Sequence, residues 1–372
     1  MAIPDTYRAA LIAPTRSPRF KIEWMDKYEN VTKEITGDLI SGSINASRKN
    51  GIRRTCQLNL NNKNGLYIPD RNGIIWLDKK FKLYTGLLIG GVEYFNEQGV
   101  FNLGNPILSG YKSQRTIQIE AYDNFSTLNG QIAGTLDVDY VIPSGTSINN
   151  AVKAIFTAAG VIKSPVITPN SETTPYTLTK KAGESFESLL LELADIISYE
   201  IYFDTDGRPR FHPESDKTSV ASVWDFSEDE VTFMGSDHNY DMLSVKNYIV
   251  VIGDNINGDL ATGTAQDTNI FSPTSVARIG KKVKVIEDSN IYSDSLAQQR
   301  ANYELKKAIQ IYENVDFKCM PVDALREGDV VTIYNPDNGL NREKFLIETI
   351  NLNLDYKGEQ TINATKVYAQ IT

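Results

Sequence analysis

The feature that most constrains this chain is a double change in the spacing of its apolar residues. Up to about residue 142 they alternate with polar ones. From 143 to 215 they recur at intervals of three and four, and from 216 onward alternation returns. Period two belongs to strands with one buried face, and period 3.6 to amphipathic helices. The fold class implied is mainly β with an α/β insert (α+β): two β-barrel-like domains flanking a small α/β domain. At 372 residues the chain exceeds one ordinary core, which agrees with several domains.

The bounds follow the texture. Residues 1–20, broken by Pro4, Pro14 and Pro18, read as an extended N-terminal arm. Residues 21–142 form the first β domain. Its strands include Phe20 to Trp24, Thr55 to Leu60 with Cys56, Leu58 and Leu60 on one face, Phe81 to Leu88, and Thr116 to Ala121. Residues 143–215 form the α/β insert. There Thr146 or Ser147 is placed to cap a helix with the stripe Ile148, Ala151, Val152, Ile155, Phe156 and Ala159. A second helix runs from about Ser185 to Ile197, with Leu189, Leu190 and Leu193 on its apolar face. A hairpin follows, turning at Asp204-Thr205-Asp206-Gly207. Residues 216–372 form the second β domain, interrupted by one helix from about Ser293 to Ile309 with Leu296, Ala301, Leu305 and Ala308 on its better face. Val245 to Ile252 reads as a central strand, 253–275 as a long polar loop, and Lys357-Gly358 as a late hairpin turn.

Reactive residues are scarce. The chain has two His and two Cys. Cys56 and Cys319 lie far apart in strand-like runs and read as buried free thiols in a reducing compartment. His212 and His238 have no nucleophile motif near them in sequence. The Asp204–Gly207 run lacks the further oxygen ligands of a calcium loop, since Arg208 and Arg210 follow it. Glu228-Asp229-Glu230 is a carboxylate cluster by composition only, and Gly86 to Gly91 lacks the phosphate-loop pattern. No catalytic, cofactor-binding or metal residue is assigned, no cofactor is expected, and the chain reads as not an enzyme.

Charge is uneven. The net value is −9, which argues against general nucleic-acid binding. Residues 1–80 carry an excess of about +6 and residues 184–243 about −12. Arg53-Arg54 and Lys79-Lys80 sit at strand starts or edges, either as charges that guard against stray β-pairing or as charges facing a polar channel or a partner's acidic patch. The asymmetry suggests that the basic N-terminal region faces partners or a channel and the acidic 184–243 region faces outward; reversing Arg53 and Arg54 to Glu then impairs assembly without unfolding the chain. No stretch approaches the roughly 18 apolar residues of a membrane span, and residues 1–20 lack a secretory core.

A set of short motifs, in order, carries a resemblance. Ser41-Gly42-Ser43 precedes a polar loop and Arg53-Arg54-Thr55; Gly99-Val100-Phe101 leads to Asn105-Pro106; a strand ends on Tyr122-Asp123. Ile142-Pro143-Ser144-Gly145-Thr146 and Gly183-Glu184-Ser185 open the two insert helices, and Tyr202-Phe203-Asp204 begins the hairpin turn. Pro321 and Leu325 lead into Gly328-Asp329-Val330-Val331. In this order the chain, over roughly 20–370, resembles the hub proteins of phage tail baseplates, in particular the hub of the phage-like element PBSX. It is more distantly similar to late control protein D and to the hub portion of type VI secretion spikes.

The resemblance implies a virion structural protein: a homotrimeric ring whose two tube domains per protomer join a six-fold tail tube to a three-fold central spike. It implies as partners a tail tube or tube-initiator protein, the central spike protein, wedge or other baseplate proteins, and the tape measure protein. It places the chain in the virion tail baseplate of a phage or tailocin with a contractile tail, as a late protein assembled in the host bacterial cytoplasm. The alternatives are a receptor- or glycan-binding tail protein, or a cell-wall hydrolase using dispersed carboxylates.

Overall fold

The computed structural model describes residues 3–111, 114–197, 199–214, 217–227, 232–254, 260–288, 291, 293–309, 312–355 and 358–367. The chain divides into two compact units, one of residues 1–237 with 316–372 and one of residues 238–315.

The first unit opens with a helix where an extended arm was expected. α1 (Asp5–Leu11) buries Tyr7 and Leu11, one turn apart on one face. Pro4 stands just before it, where a missing N–H costs nothing. The Tyr7 hydroxyl donates to Asp323 at 2.8 Å and so ties the helix down. The first β region follows as β1 (Pro18–Met25), β2 (Val31–Thr36), β3 (Leu39–Ser47), β4 (Arg54–Asn61), β5 (Lys80–Ile89), β6 (Val92–Leu103), β7 (Ile107–Tyr111) and β8 (Gln114–Asp123). The expected alternation is present: Ile22 and Trp24, Cys56, Leu58 and Leu60, and Ile117, Ile119 and Ala121 are buried.

The α/β insert contains β9 (Tyr140–Ile142), α2 (Ile148–Ala158), β10 (Val166–Ile167), β11 (Leu178–Lys180), α3 (Phe186–Ile196), β12 (Tyr199–Phe203) and β13 (Pro209–Pro213). Both predicted stripes face one core. Ile148, Val152, Ile155 and Phe156 pack with Leu189, Leu190 and Leu193 against Ile201, Phe203 and Phe211 of the hairpin. Ser185 caps α3 by accepting from Ser188 N–H, whereas Ser147 stands at the start of α2 without a side-chain capping bond.

The second β region supplies β14 (Trp224–Ser227) and β15 (Phe233–Asp241) to the chain order before the second unit. That unit holds β16 (Tyr248–Gly253), β17 (Thr262–Gln266), α4 (Val276–Ile279), β18 (Val283–Asp288) and α5 (Asp294–Ala308). β16 is central in a three-stranded sheet, as its apolar run predicts. The predicted loop 253–275 is overturned in part, because β17 lies within it and pairs antiparallel with β16. Its sequence Thr-Gly-Thr-Ala-Gln gives no apolar signal. Gly263 is there because the helix backbone is close: a Cβ on it would stand 2.3 Å from the carbonyl carbon of Ala297. For the same reason α5 buries Ala297 and Ala301, while Leu296, placed on its better face by the sequence, is 37% exposed.

The chain then returns through β19 (Tyr312–Cys319), β20 (Val330–Asn335), β21 (Leu340–Asn353) and β22 (Gln360–Lys366). The fold is mainly β with an α/β insert, as the periodicity implies. The two β regions share one sheet, in the order β15-β19-β22-β21-β3-β4-β8-β6-β5-β1-β2, with β7 on β8 and β20 on β21. The seam is the antiparallel pairing of Ser43 to Ser47 with Thr349 to Asn353. Lys357 of the predicted late hairpin turn lies outside the described residues, and its flanking strands pair antiparallel.

Candidate functional site

A densely built polar region of the first unit is a set of ion pairs at the β3–β4 loop, residues 48–53. Arg53 and Arg54 are 4% and 3% exposed, so they neither guard a solvent-facing edge nor face a channel or a partner. Arg54 pairs with buried Glu327 and donates to the Phe203 carbonyl at 3.0 Å. Arg53 pairs with Glu200 at 2.7 Å and lies over the Tyr202 ring, 3.4 Å from its centre. Arg48 reaches Glu200, Glu214 at 3.2 Å and Glu348 at 3.4 Å. Buried charges persist only when paired and hydrogen-bonded, and these are.

The loop also docks through its backbone. Gly51 N–H donates to the Ile201 carbonyl at 3.1 Å, and Ile201 N–H donates to the Asn50 side chain at 2.8 Å. Asp123, at the end of β8, accepts from Arg53 N–H at 2.8 Å, Arg54 N–H at 2.9 Å and Phe125 N–H at 2.9 Å. One carboxylate thus sets the start of β4 and caps the 3-10 turn at Asn124–Thr127.

Electrostatics follow the pairing. Burial pushes the Asp123 carboxyl up to about 6, against the pull of its backbone donors and of Arg54. Burial alone would raise Glu200, yet Arg48 and then Arg53 hold it below the usual carboxylate range. Burial works against the Arg54 charge, and Glu327 together with Asp123 and Asp204 more than restores it.

A second brace holds the Asp204–Gly207 turn. Asn124 donates to the Gly207 carbonyl at 3.2 Å, and Lys163 joins Glu29 at 2.6 Å. Gly207 has φ +75° at the turn, and a Cβ there would stand 2.9 Å from Val100. Lys80 belongs to this brace, 3.5 Å from Glu29, and burial lowers its pKa; the edge-charge reading fails for it as well. Lys79 instead pairs locally with Asp78 at 3.3 Å. Arg210 lies 2.8 Å from Asp204 and 3.3 Å from Asp206, so a guanidinium stands beside these carboxylates.

These braces explain part of the charge asymmetry. Basic Arg48 and Arg53 meet acidic Glu200 and Glu214 within one chain rather than across copies. The sequence reading missed Glu200, Glu327 and Asp123 as partners of the arginines. Only Asp123-Asn124, a capping dipeptide after a strand, carried a local signal.

The remaining candidates stay apart. His212 Nε2 lies 3.1 Å from the Tyr202 hydroxyl, and His238 lies 3.2 Å from Glu313. Cys56 and Cys319 are free and buried, as expected, and burial pushes both thiols up. Glu228-Asp229-Glu230 lies outside the described residues. Among the described residues no group of three or more His, Cys, Asp or Glu is placed to hold a metal ion. Among the same residues no helix is long and apolar enough to cross a membrane.

No family model and no curated protein sequence matches the chain. Its likeness is to solved structures of phage tail proteins. The 43 kDa tail protein of prophage MuSo2 from Shewanella oneidensis superposes with a TM-score of 0.62 at 14% identity, over 94% of this chain and 98% of that one. A tail protein from Neisseria meningitidis MC58 gives 0.64 at 11% identity, over 93% and 96%. The prophage tail protein gp18 from Listeria monocytogenes gives 0.57 at 14% identity, over 95% of each. The chain has the fold of these tail proteins, and the resemblance read from its motifs is met at the level of fold.

Proposed function

We propose that this chain is a structural protein of a phage tail baseplate, and within it the hub. The observation that carries the reading is the extent of the likeness: nearly the whole of this chain matches nearly the whole of three tail proteins from different bacteria. Fold alone does not assign function, so the reading needs a direct test.

The hub reading is a homotrimeric ring joining a six-fold tail tube to a three-fold central spike. Residues 21–142 and 216–372 would supply its two tube domains and 143–215 a small α/β domain. Partners would be tube or tube-initiator, spike, wedge and tape measure proteins, and the place of action the virion tail after assembly in the host cytoplasm. The ion-pair braces support such a role in physical terms. An adapter must hold its insert at a fixed angle to its sheet, and buried paired charges specify geometry more than they add stability.

Light scattering of the purified protein tests the reading, followed by imaging alone and with tube and spike proteins. A mass near three protomers and a ring outline are expected. A monomer that forms no ring with those proteins would overturn the hub assignment, and saturable adsorption of the isolated chain to cells would favour a receptor-binding tail protein.

A further inference from the structure

Four polar side chains from separate elements of the first unit converge beside the β1–β2 turn. Lys80 begins β5, Asn102 lies near the end of β6, Asn124 opens the 3-10 turn after β8, and Glu29 stands between β1 and β2. All are enclosed. Asn102 and Asn124 are 6% and 4% exposed, and the side chains of Lys80 and Glu29 are 16% and 8% exposed. A carboxylate at a hairpin turn ordinarily faces water. Glu29 instead turns inward, from a backbone with φ +64°, an uncommon conformation for a residue with a Cβ. Backbone strain of this kind persists where the surroundings hold it, and it collects at reactive places.

The contacts sort the Asn124 amide atom by atom. Its Oδ1 accepts from Lys80 Nζ at 3.2 Å and from Asn102 Nδ2 at 3.1 Å. Its Nδ2 donates to Glu29 Oε1 at 3.1 Å and to the Gly207 carbonyl at 3.2 Å. Two donors meet the oxygen and two acceptors meet the nitrogen, so the network fixes one orientation of the amide. Glu29 Oε1 also lies 3.5 Å from Lys80 Nζ, while Lys163 holds Oε2 at 2.6 Å. An amine, an amide carbonyl polarised by a fixed donor and a carboxylate beside both nitrogens are the parts of an acyl transfer. Burial outweighs the pull of Glu29 and lowers the Lys80 pKa, which favours the neutral, nucleophilic amine.

We propose that Lys80 and Asn124 join in an isopeptide bond that the folded chain forms by itself. Once Lys80 has given its extra proton to water, Nζ attacks Cγ of Asn124 and the Nζ–Cγ bond forms. Asn102 donates to the carbonyl oxygen as it gains negative charge. Glu29 takes a proton from Nζ and passes it to Nδ2. The Cγ–Nδ2 bond breaks and ammonia leaves. The product is a secondary amide, and the step needs no oxidant, reductant or co-reactant. The bond ties residues 44 positions apart, the start of β5 to the turn after β8, and a cross-link closing so long a loop restricts the unfolded chain. The proposal goes beyond the hub reading and does not depend on it.

Intact-mass spectrometry of the purified full chain tests it, followed by peptide mapping. The chain should weigh less than its sequence by one ammonia, and a digest should yield a branched peptide joining Lys80 to Asn124. Glu29→Gln and Lys80→Arg should each keep the full mass. Asn124→Asp should lose one water instead, through the same bond. A folded wild-type chain, checked by circular dichroism, that keeps its full mass after prolonged incubation would overturn the proposal. So would a loss of ammonia that maps to a single Asn-Gly peptide, such as Asn129-Gly130, without a branch, or a branch that starts from Lys163. A branch formed undiminished in Glu29→Gln would overturn the assignment of Glu29 as proton carrier. The wild-type mass decides the matter even where a variant fails to fold.

Discussion

Arg54 and Glu327, 273 residues apart in sequence, meet as an ion pair in which both side chains are almost wholly buried. The pair joins the start of β4 to the turn before β20, and Arg54 carries the bond on to the Phe203 carbonyl of the insert hairpin. Arg54→Met should therefore destabilise the protein by about 3–5 kcal/mol, because it leaves the Glu327 carboxylate buried and unpaired. Arg54→Glu should fail to fold, which replaces the expectation that charge reversal here spares the fold. The double change Arg54→Met with Glu327→Leu should recover most of the loss, since an apolar pair of similar volume removes both desolvation costs. Urea unfolding of the single and double variants checks this; a double variant no better than the single would show that the Phe203 bond, not the charge pair, dominates.

Arg53 makes a different demand. Its planar guanidinium bonds Glu200 and stacks on Tyr202 at once, which an ammonium cannot do. Arg53→Lys should cost about 1–2 kcal/mol despite keeping the charge. The loss should show as faster hydrogen exchange at β12 amides before any change in the distant β1–β5 pairing. Exchange unchanged at β12 would count against the brace.

These two residues also mark what the sequence makes legible. Strands such as Thr55 to Leu60 and the helices at Ile148–Ala158 and Phe186–Ile196 are readable because their burial pattern repeats within a few residues. The partners of Arg53 and Arg54 are not, since Glu200 and Glu327 reach them only after the sheet has joined both β regions. A charged pair at the start of a strand looks the same in sequence whether it faces water or a buried carboxylate. β17 escaped notice for a related reason: its small residues are dictated by the α5 backbone, a neighbour some thirty positions away. α1 was hidden by prolines that flank a short helix as readily as they break one.

Asp123 gives stability a pH dependence of unusual sign for a carboxylate. Its folded pKa, about 6, lies above the ordinary value of 3.8, so the native state binds the proton more readily than the unfolded one. Its contribution is full below about pH 3.8 and is lost as pH rises through about 6. Asp123→Asn removes this titration, at a pH-independent cost for the backbone donor that the amide cannot accept. The stability of the variant relative to wild type should rise by about 2 kcal/mol between pH 4 and pH 7. Urea midpoints at several pH values measure the difference, and a flat difference would show that the buried carboxyl keeps an ordinary pKa.

Gly263 sets the distance between β17 and α5. A methyl group there would stand 2.3 Å from the Ala297 carbonyl carbon and 2.4 Å from the Gln298 nitrogen, both backbone atoms that cannot swing aside. The helix must then lift from the sheet, uncovering Ile249 and Val251, which are fully buried beneath it. Gly263→Ala should cost about 2–4 kcal/mol, more than overpacking of a side-chain contact, because the whole α5 interface opens. Gly110→Ala is the control, since a Cβ there meets nothing within 4 Å. Hydrogen exchange should show the loss of protection confined to residues 238–315, the compact unit that holds both elements. Equal melting of the two alanine variants would mean that β17 and α5 do not approach so closely.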